Sequence, residues 1–421
     1  MATSSLRTPG ALPAFASGHF ARSLIWSFTD LLLGYYAHVR LGLPAWQTGL
    51  LLSVSLAYSS VLDLALAMVF MRMPHQKRRV PRLQRIGGVA TAFSGVLLFI
   101  PVSGGTSHVL AWLICASFLF RTSYALYDLT QNALTSLLPV DPTQATRFVT
   151  VRAVMATTAK LCVAASGFLV IDEAATWGRE LVVASAMGML IVASAFWLGR
   201  QRPVGGLEER TVRAWSDFPT MRLAPLLMAT AASCVLALPG RFLPFAIDPA
   251  TGRPLGAALV FAMVLGSVGG PFVATRLVRA GMARAAIVFG ATAAGSATVL
   301  IAAPALPVQV VMAVVYGVGL GGGSVLVWNE VSRVVREHAA QTGQRTDLAC
   351  FALLTMTIKM SLALSTILLG RYLDGFSLRR PDTLVELILI TLLGAIGFVL
   401  PLSIDGRRSH RHAALADARS P

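Results

Sequence analysis

The sequence is short of charge, and of acid most of all. Asp, Glu, Lys and Arg make up 13% of its 421 residues, about half the usual share of a soluble chain. A soluble protein of this length needs charged side chains to cover its surface, so a soluble enzyme and a disordered chain are both excluded. Nineteen acids face 35 Lys and Arg, for a net charge of +16. Only four cysteines occur, Cys115, Cys162, Cys234 and Cys350. Each lies in or beside an apolar run and no two share a metal-ligand spacing, so they read as small buried hydrophobes. The patterns Gly-x-x-x-x-Gly-Lys, His-Glu-x-x-His and Gly-x-Ser-x-Gly are all missing, so no phosphate loop, metalloprotease helix or nucleophile elbow is expected. The Ser/Thr/Pro-rich start holds a single Arg7 and no compact cleavable leader.

Long apolar runs are abundant. Hydrophobic residues reach 55% and the mean hydropathy is +0.69. The runs are near twenty residues and do not alternate, which excludes an outer-membrane barrel and predicts membrane-spanning helices. Twelve spans are expected at about residues 17–40, 46–72, 86–103, 109–138, 148–171, 178–199, 222–246, 255–279, 284–303, 306–335, 347–371 and 383–404. The one long polar stretch in mid-chain separates two sets of six. The expected organisation is a bundle over 1–199, a linker over 200–221, a second bundle over 222–404 and a basic tail over 405–421. Basic clusters follow the even-numbered spans: Arg72 to Arg85, Arg200 to Arg213, Arg276 to Arg284, and Arg407 to Arg411. By the positive-inside rule these connections and both termini are cytoplasmic, and the positive excess needs no nucleic-acid partner. Arg371, Arg379 and Arg380 are an exception, partly offset by Asp374 and Asp382.

Ionisable groups within spans are costly and point to a cavity or a partner. The set is Asp30, Asp63, Arg121, Asp128, Arg152, Lys160, Arg241, Glu330, Arg333 and Lys359, with His19 and Arg22 near the start of span 1. This abundance suits a water-filled path. Asp63, Asp128 and Lys359 are expected to line it; the alternative is a structural ion pair between helices. Arg121 lies seven residues before Asp128, on the same helix face. Arg241, between Pro239 and Pro244, is read as snorkelling to the interface. Asp30 either caps or pairs with Arg22, and Glu330 and Arg333 close span 10, either as a solvated cytoplasmic end or as part of a site. The run Gly317 to Val325 is glycine-rich, but within an apolar span it reads as close helix packing.

Three stretches resemble the glycoside–pentoside–hexuronide:cation symporter family of the major facilitator superfamily. Gly18 to Ala67 is similar to the family's opening helix pair, with its Gly-x-Pro-Ala turn at Gly42 to Ala45. Tyr127 to Arg152 is similar to its fourth helix and linker, seen in Leu138, Asp141 and Arg147. Thr342 to Ser365 is similar to its Thr-Gly-x-Arg loop, in which Arg345 precedes Lys359 by fourteen residues. The resemblance implies two pseudo-symmetric six-helix bundles around a central site. It assigns substrate contacts to His19, Asp128, Asn132 and Arg152, and cation coupling to Asp63, Asp128, Lys359 and Ser59. The chain departs from the family where acids become His19, Ser59, Arg333 and Arg336, where an aromatic becomes Asn132, and where an Asp-Arg pair becomes Met71 and Arg72. With acids lost from the cation cluster, a proton is expected as the coupling ion in preference to sodium.

The expected function is secondary active transport of a small polar solute, such as a sugar, glycoside, uronide or other organic anion, by alternating access. The protein is expected as a monomer in the inner (plasma) membrane, partnered by lipid, solute and coupling cation, with no metal or other cofactor and no enzymatic activity. An exporter of amphipathic compounds and a non-transporting sensor or scaffold are the rival readings.

Overall fold

In a computed structural model the described residues are 10–71, 76–139, 142–170, 178–201, 219–246, 255–302, 305–342, 347–373 and 381–417. Among them the architecture is all-α. Twelve long helices follow one another: α1 (Ala11–Tyr35), α2 (Ala45–Met71), α3 (Gln76–Leu97), α4 (Thr106–Leu137), α5 (Pro142–Val170), α6 (Arg179–Leu198), α7 (Thr220–Leu236), α8 (Gly256–Arg279), α9 (Met282–Ala302), α10 (Leu306–Thr342), α11 (Asp347–Leu373) and α12 (Pro381–Asp417). They form two six-helix bundles. Among the described residues nine spans are long and apolar enough to cross a bilayer, the one begun by α7 running on to Phe245. The other three are α1, α3 and α5, of which α1 and α5 carry His19, Arg22, Asp30, Arg152 and Lys160.

The spans fall where hydropathy places them, but several ends differ. The basic residues from Lys77 to Arg85 are helical, because α3 begins at Gln76 rather than near residue 86. Gln, Lys and Arg are good helix formers, so charge does not end a helix once it leaves the apolar layer. For the same reason α10 continues to Thr342 and α12 to Asp417, through most of the expected tail. Most of the central linker, Arg72, Asp141 and Arg345 lie outside the described residues.

Local chemistry sets the turns that matter. α1 ends in a π-helical turn, Tyr36–Arg40. Gly42 then adopts φ +68°, a left-handed conformation that glycine takes at little cost. Pro44 opens α2, and its carbonyl accepts from Thr48 N at 3.0 Å. α7 is interrupted at Ala237 and resumes as a short helix, Leu238–Phe242, and a 3-10 turn, Leu243–Phe245. Pro239 and Pro244 remove donors there. Tyr316 on α10 repairs the break: its hydroxyl donates to Leu236 O at 2.9 Å and accepts from Gly240 N at 3.3 Å.

The glycine-rich run of α10 is a packing device, as its place in an apolar span implied. A Cβ on Gly317 would sit 1.9 Å from Met263 O, and one on Gly266 of α8 would sit 1.9 Å from Val314 O. The α8 and α10 backbones therefore touch directly. The cysteine reading is half corrected. Cys234 and Cys350 are buried, but Cys115 and Cys162 are exposed. They lie on a perimeter that also exposes Leu119, Val154 and Met189, where an apolar thiol suits lipid. Lys160 is exposed as well.

The bundles meet where α2 runs antiparallel to α11. Ser53 donates to Ala363 O at 2.7 Å and Ser60 to Met356 O at 2.9 Å. Nearer the α7 break, Leu161 and Ala164 of α5 pack with Leu259 and Val260 of α8.

A buried polar stripe across the bundle interface

α1 carries its polar residues at His19, Arg22, Trp26 and Asp30. Steps of three and four keep them on one helix face. α4 repeats the device with Arg121, Tyr124, Asp128 and Asn132, and α2 with Ser55, Ser59 and Asp63. These faces, together with Lys359 of α11, supply the interior with charge.

At one end of the stripe, Arg22 forms an ion pair with Asp128. Asn132 Nδ2 donates to the same Asp128 oxygen at 3.2 Å. Arg22 Nη2 is 3.2 Å from His19 Nε2. A guanidinium only donates, so Nε2 accepts, and the proton of a neutral ring sits on Nδ1. That Nδ1 is buried with no partner. Arg152 lies with its guanidinium 4.2 Å from the centre of the Trp328 ring, on α10, a cation–π contact between bundles.

In the middle, Lys359 Nζ lies 2.5 Å from Asp63 Oδ2, with both side chains shielded from solvent. Lys359 also sits 5.7 Å from the Trp26 ring and 5.8 Å from Tyr124, and those two rings stack at 5.3 Å. Arg121 Nε donates to Ser55 Oγ at 3.0 Å, and its guanidinium is 5.0 Å from the Trp26 ring. At the far end Arg241, in the short helix after the α7 break, donates to Asp30 Oδ1 at 2.7 Å.

The structure brings His19, Asp128 and Asn132 together around Arg22, and joins Asp63 to Lys359. It keeps these as two groups: among the described residues no ion pair or hydrogen bond links Asp63 to Asp128. Ser59 is buried one turn from Asp63, and its hydroxyl has no partner. Two expectations are corrected. Arg241 does not snorkel, because Asp30 holds it; and Asp30 takes Arg241, not Arg22 or a helix cap. Glu330 pairs with Arg333, which also reaches Glu337 at 2.7 Å and is one-third exposed, as a solvated helix end would be. The side chain of Arg336 is outside the described set. Arg22, Trp26, Tyr124 and Trp328 were not foreseen as site residues. The three- and four-residue spacing on α1 was the available signal for the first two; nothing local marks Trp328. The described residues hold no cluster of three or more His, Cys, Asp or Glu suited to a metal.

The family described as MFS/sugar transport protein matches residues 14–403. The chain belongs to that family. The protein is thus a membrane transporter, and its solved structural likenesses agree on the fold. A bacterial homologue of the human lysosomal transporter Spinster, inward-facing and unoccupied, has a TM-score of 0.58 at 12% identity, over 94% of this chain and 95% of that one. The nucleoside transporter NupG has a TM-score of 0.58 at 14% identity, over 94% and 98%. A structure addressing substrate recognition in proton-dependent oligopeptide transporters has a TM-score of 0.67 at 10% identity, over 96% and 99%. No curated protein matches the transporter's sequence.

Proposed function

We propose that the transporter moves a small polar solute by alternating access and couples that movement to protons. The observation that carries this reading is the Lys359–Asp63 contact, an ion pair buried between two bundles that must rock against each other. Parting them strands a carboxylate and an ammonium away from water, which is strongly unfavourable. A proton taken up by Asp63 removes its charge and its claim on Lys359, so the bundles separate more easily. Loss of the proton restores the pair and favours the joined arrangement. A sodium ion at the same carboxylate would face the ammonium, a repulsion that a neutralising proton avoids. Asp128 completes the coupling region, while His19, Asp128, Asn132 and Arg152 contact the solute.

The transporter acts as a monomer in the inner (plasma) membrane, with both termini cytoplasmic. Its boundaries are a first bundle to residue 199, a second from 222 to 404, and the basic linker and tail on the cytoplasmic side. The test is uptake into vesicles under imposed gradients. A proton gradient drives accumulation at zero sodium; accumulation driven by sodium alone at fixed pH overturns proton coupling. Asp63→Asn keeps solute exchange and loses accumulation. Normal accumulation by that variant assigns Asp63 a structural role only.

A further inference from the structure

The interior charges do not balance. Asp30, Asp63 and Asp128 each hold one cation, respectively Arg241, Lys359 and Arg22. Two guanidiniums on the stripe remain without a carboxylate among the described residues. Arg152 is half-buried on Trp328. Arg121 is only 2% exposed. A guanidinium stays protonated in proteins, so Arg121 cannot relieve its burial by losing charge. An unpaired buried charge is retained only where something else compensates it.

The surroundings of Arg121 compensate it poorly. Ser55 takes one donor, Nε, at 3.0 Å. Trp26 and Phe120 offer ring faces at 5.0 and 5.5 Å. Nη1 is buried with no partner at all. One turn from Ser55, on the same face of α2, the fully buried Ser59 hydroxyl is equally unpartnered. A free guanidinium donor and a free hydroxyl, from two adjacent helices, are what one carboxylate needs. The neighbouring charges cancel, since Lys359 is neutralised by Asp63 and Arg241 by Asp30. The local excess is therefore one positive charge, carried by Arg121.

We propose that Arg121 binds a carboxylate on the transported solute, with Ser59 as a second donor, so that the substrate is a hydroxylated carboxylic acid and not a neutral sugar. The proposal rests on the transport reading above and narrows its substrate class. The bound carboxylate supplies the missing counter-charge, next to the Trp26–Tyr124 stack that Arg121 and Lys359 already face. A solute lacking the carboxylate leaves Arg121 uncompensated and is rejected on that account.

The test compares glucose with glucuronate, which differ only by the C6 carboxylate, on the purified full-length protein. Thermal unfolding and titration calorimetry report binding. Glucuronate raises the unfolding temperature of the wild type and glucose does not. Arg121→Gln weakens glucuronate binding at least tenfold, and Arg121→Lys, which keeps the charge, retains part of it. Without ligand, Arg121→Gln unfolds at a higher temperature than the wild type, because an uncompensated charge is gone; a purely structural arginine gives the opposite sign. Equal stabilisation by glucose and glucuronate, or an unchanged glucuronate response in Arg121→Gln, overturns the proposal. So does a wild type that responds to neither glucuronate nor lactate. Counterflow in proteoliposomes separates the two claims. Counterflow of glucose that is indifferent to Arg121→Gln preserves transport and removes the anion site. Arg121-dependent glucuronate binding without counterflow of any solute preserves the site and removes transport.

Discussion

Lys359 and Asp63 meet at 2.5 Å across the line where the two bundles join, with Trp26 and Tyr124 beside the ammonium. No other acid is paired with this lysine among the described residues, and its carboxylate partner is fully buried. Removing one partner leaves an isolated charge, which costs about 3–5 kcal/mol. Lys359→Ala is therefore expected to lower the unfolding temperature and abolish uptake. Adding Asp63→Asn is expected to restore most of the stability without restoring accumulation, because no isolated charge remains. Differential scanning fluorimetry and vesicle uptake measure the two effects. Lys359→Ala with normal stability and uptake would show that the pair is dispensable.

Lys359→Arg is expected to retain little accumulation. A guanidinium is broader than an ammonium and holds its charge permanently, so it neither fits between Asp63 and two aromatic rings nor follows the carboxylate's protonation. Uptake above about half of wild type would argue against this fit.

The Asp30–Arg241 pair joins α1 to the broken end of α7 and is partly wet, with Asp30 28% exposed and Arg241 12%. Asp30→Asn is expected to cost less than Lys359→Ala, about 1 kcal/mol or below, because exposure weakens the pair. The reversed pair, Asp30→Arg with Arg241→Asp, is expected to recover transport lost in either single variant. Full transport by both single variants would remove the contact from the transport cycle.

The Tyr316 hydroxyl bonds both sides of the α7 break, where Gly240 N also donates to Ala237 O at 3.2 Å. Tyr316→Phe removes the donor from Leu236 O, which is expected to cost about 1–3 kcal/mol. Thermal unfolding of the purified protein measures it; an unchanged midpoint would mean that the backbone groups find other partners.

Gly317→Ala and Gly295→Ala form a matched test of backbone contact. A Cβ at Gly317 meets Met263 O at 1.9 Å, whereas one at Gly295 meets nothing within 4 Å. The first is expected to destabilise by about 1–3 kcal/mol through overpacking. The second is expected to be neutral or slightly stabilising, since alanine is the better helix former. Equal midpoints would contradict direct contact between α8 and α10.

Much of this protein is written locally. Span number, all-helical class and the glycine packing of α10 follow from runs and spacings within about twenty residues, because a bilayer forces each span to satisfy its own backbone. The polar residues of α1, α2 and α4 were visible for the same reason: in an apolar run each charge stands out. The sequence also held the resemblance that led to the family. Partner choice was not local. Arg22 and Asp128 are 106 residues apart, and Asp30 and Arg241 are 211, so which acid meets which cation depends on helix rotation and on which helices become neighbours. That is why Asp30 was read as capping or as pairing with the nearby Arg22, and Arg241 as reaching the interface. It is also why Trp328, an ordinary aromatic in an apolar run, became legible only beneath Arg152. Sequence determined that charges lie inside the membrane; tertiary packing decided which of them cancel and left Arg121 and Arg152 over, because cancellation is set by distances between helices and not by order along the chain.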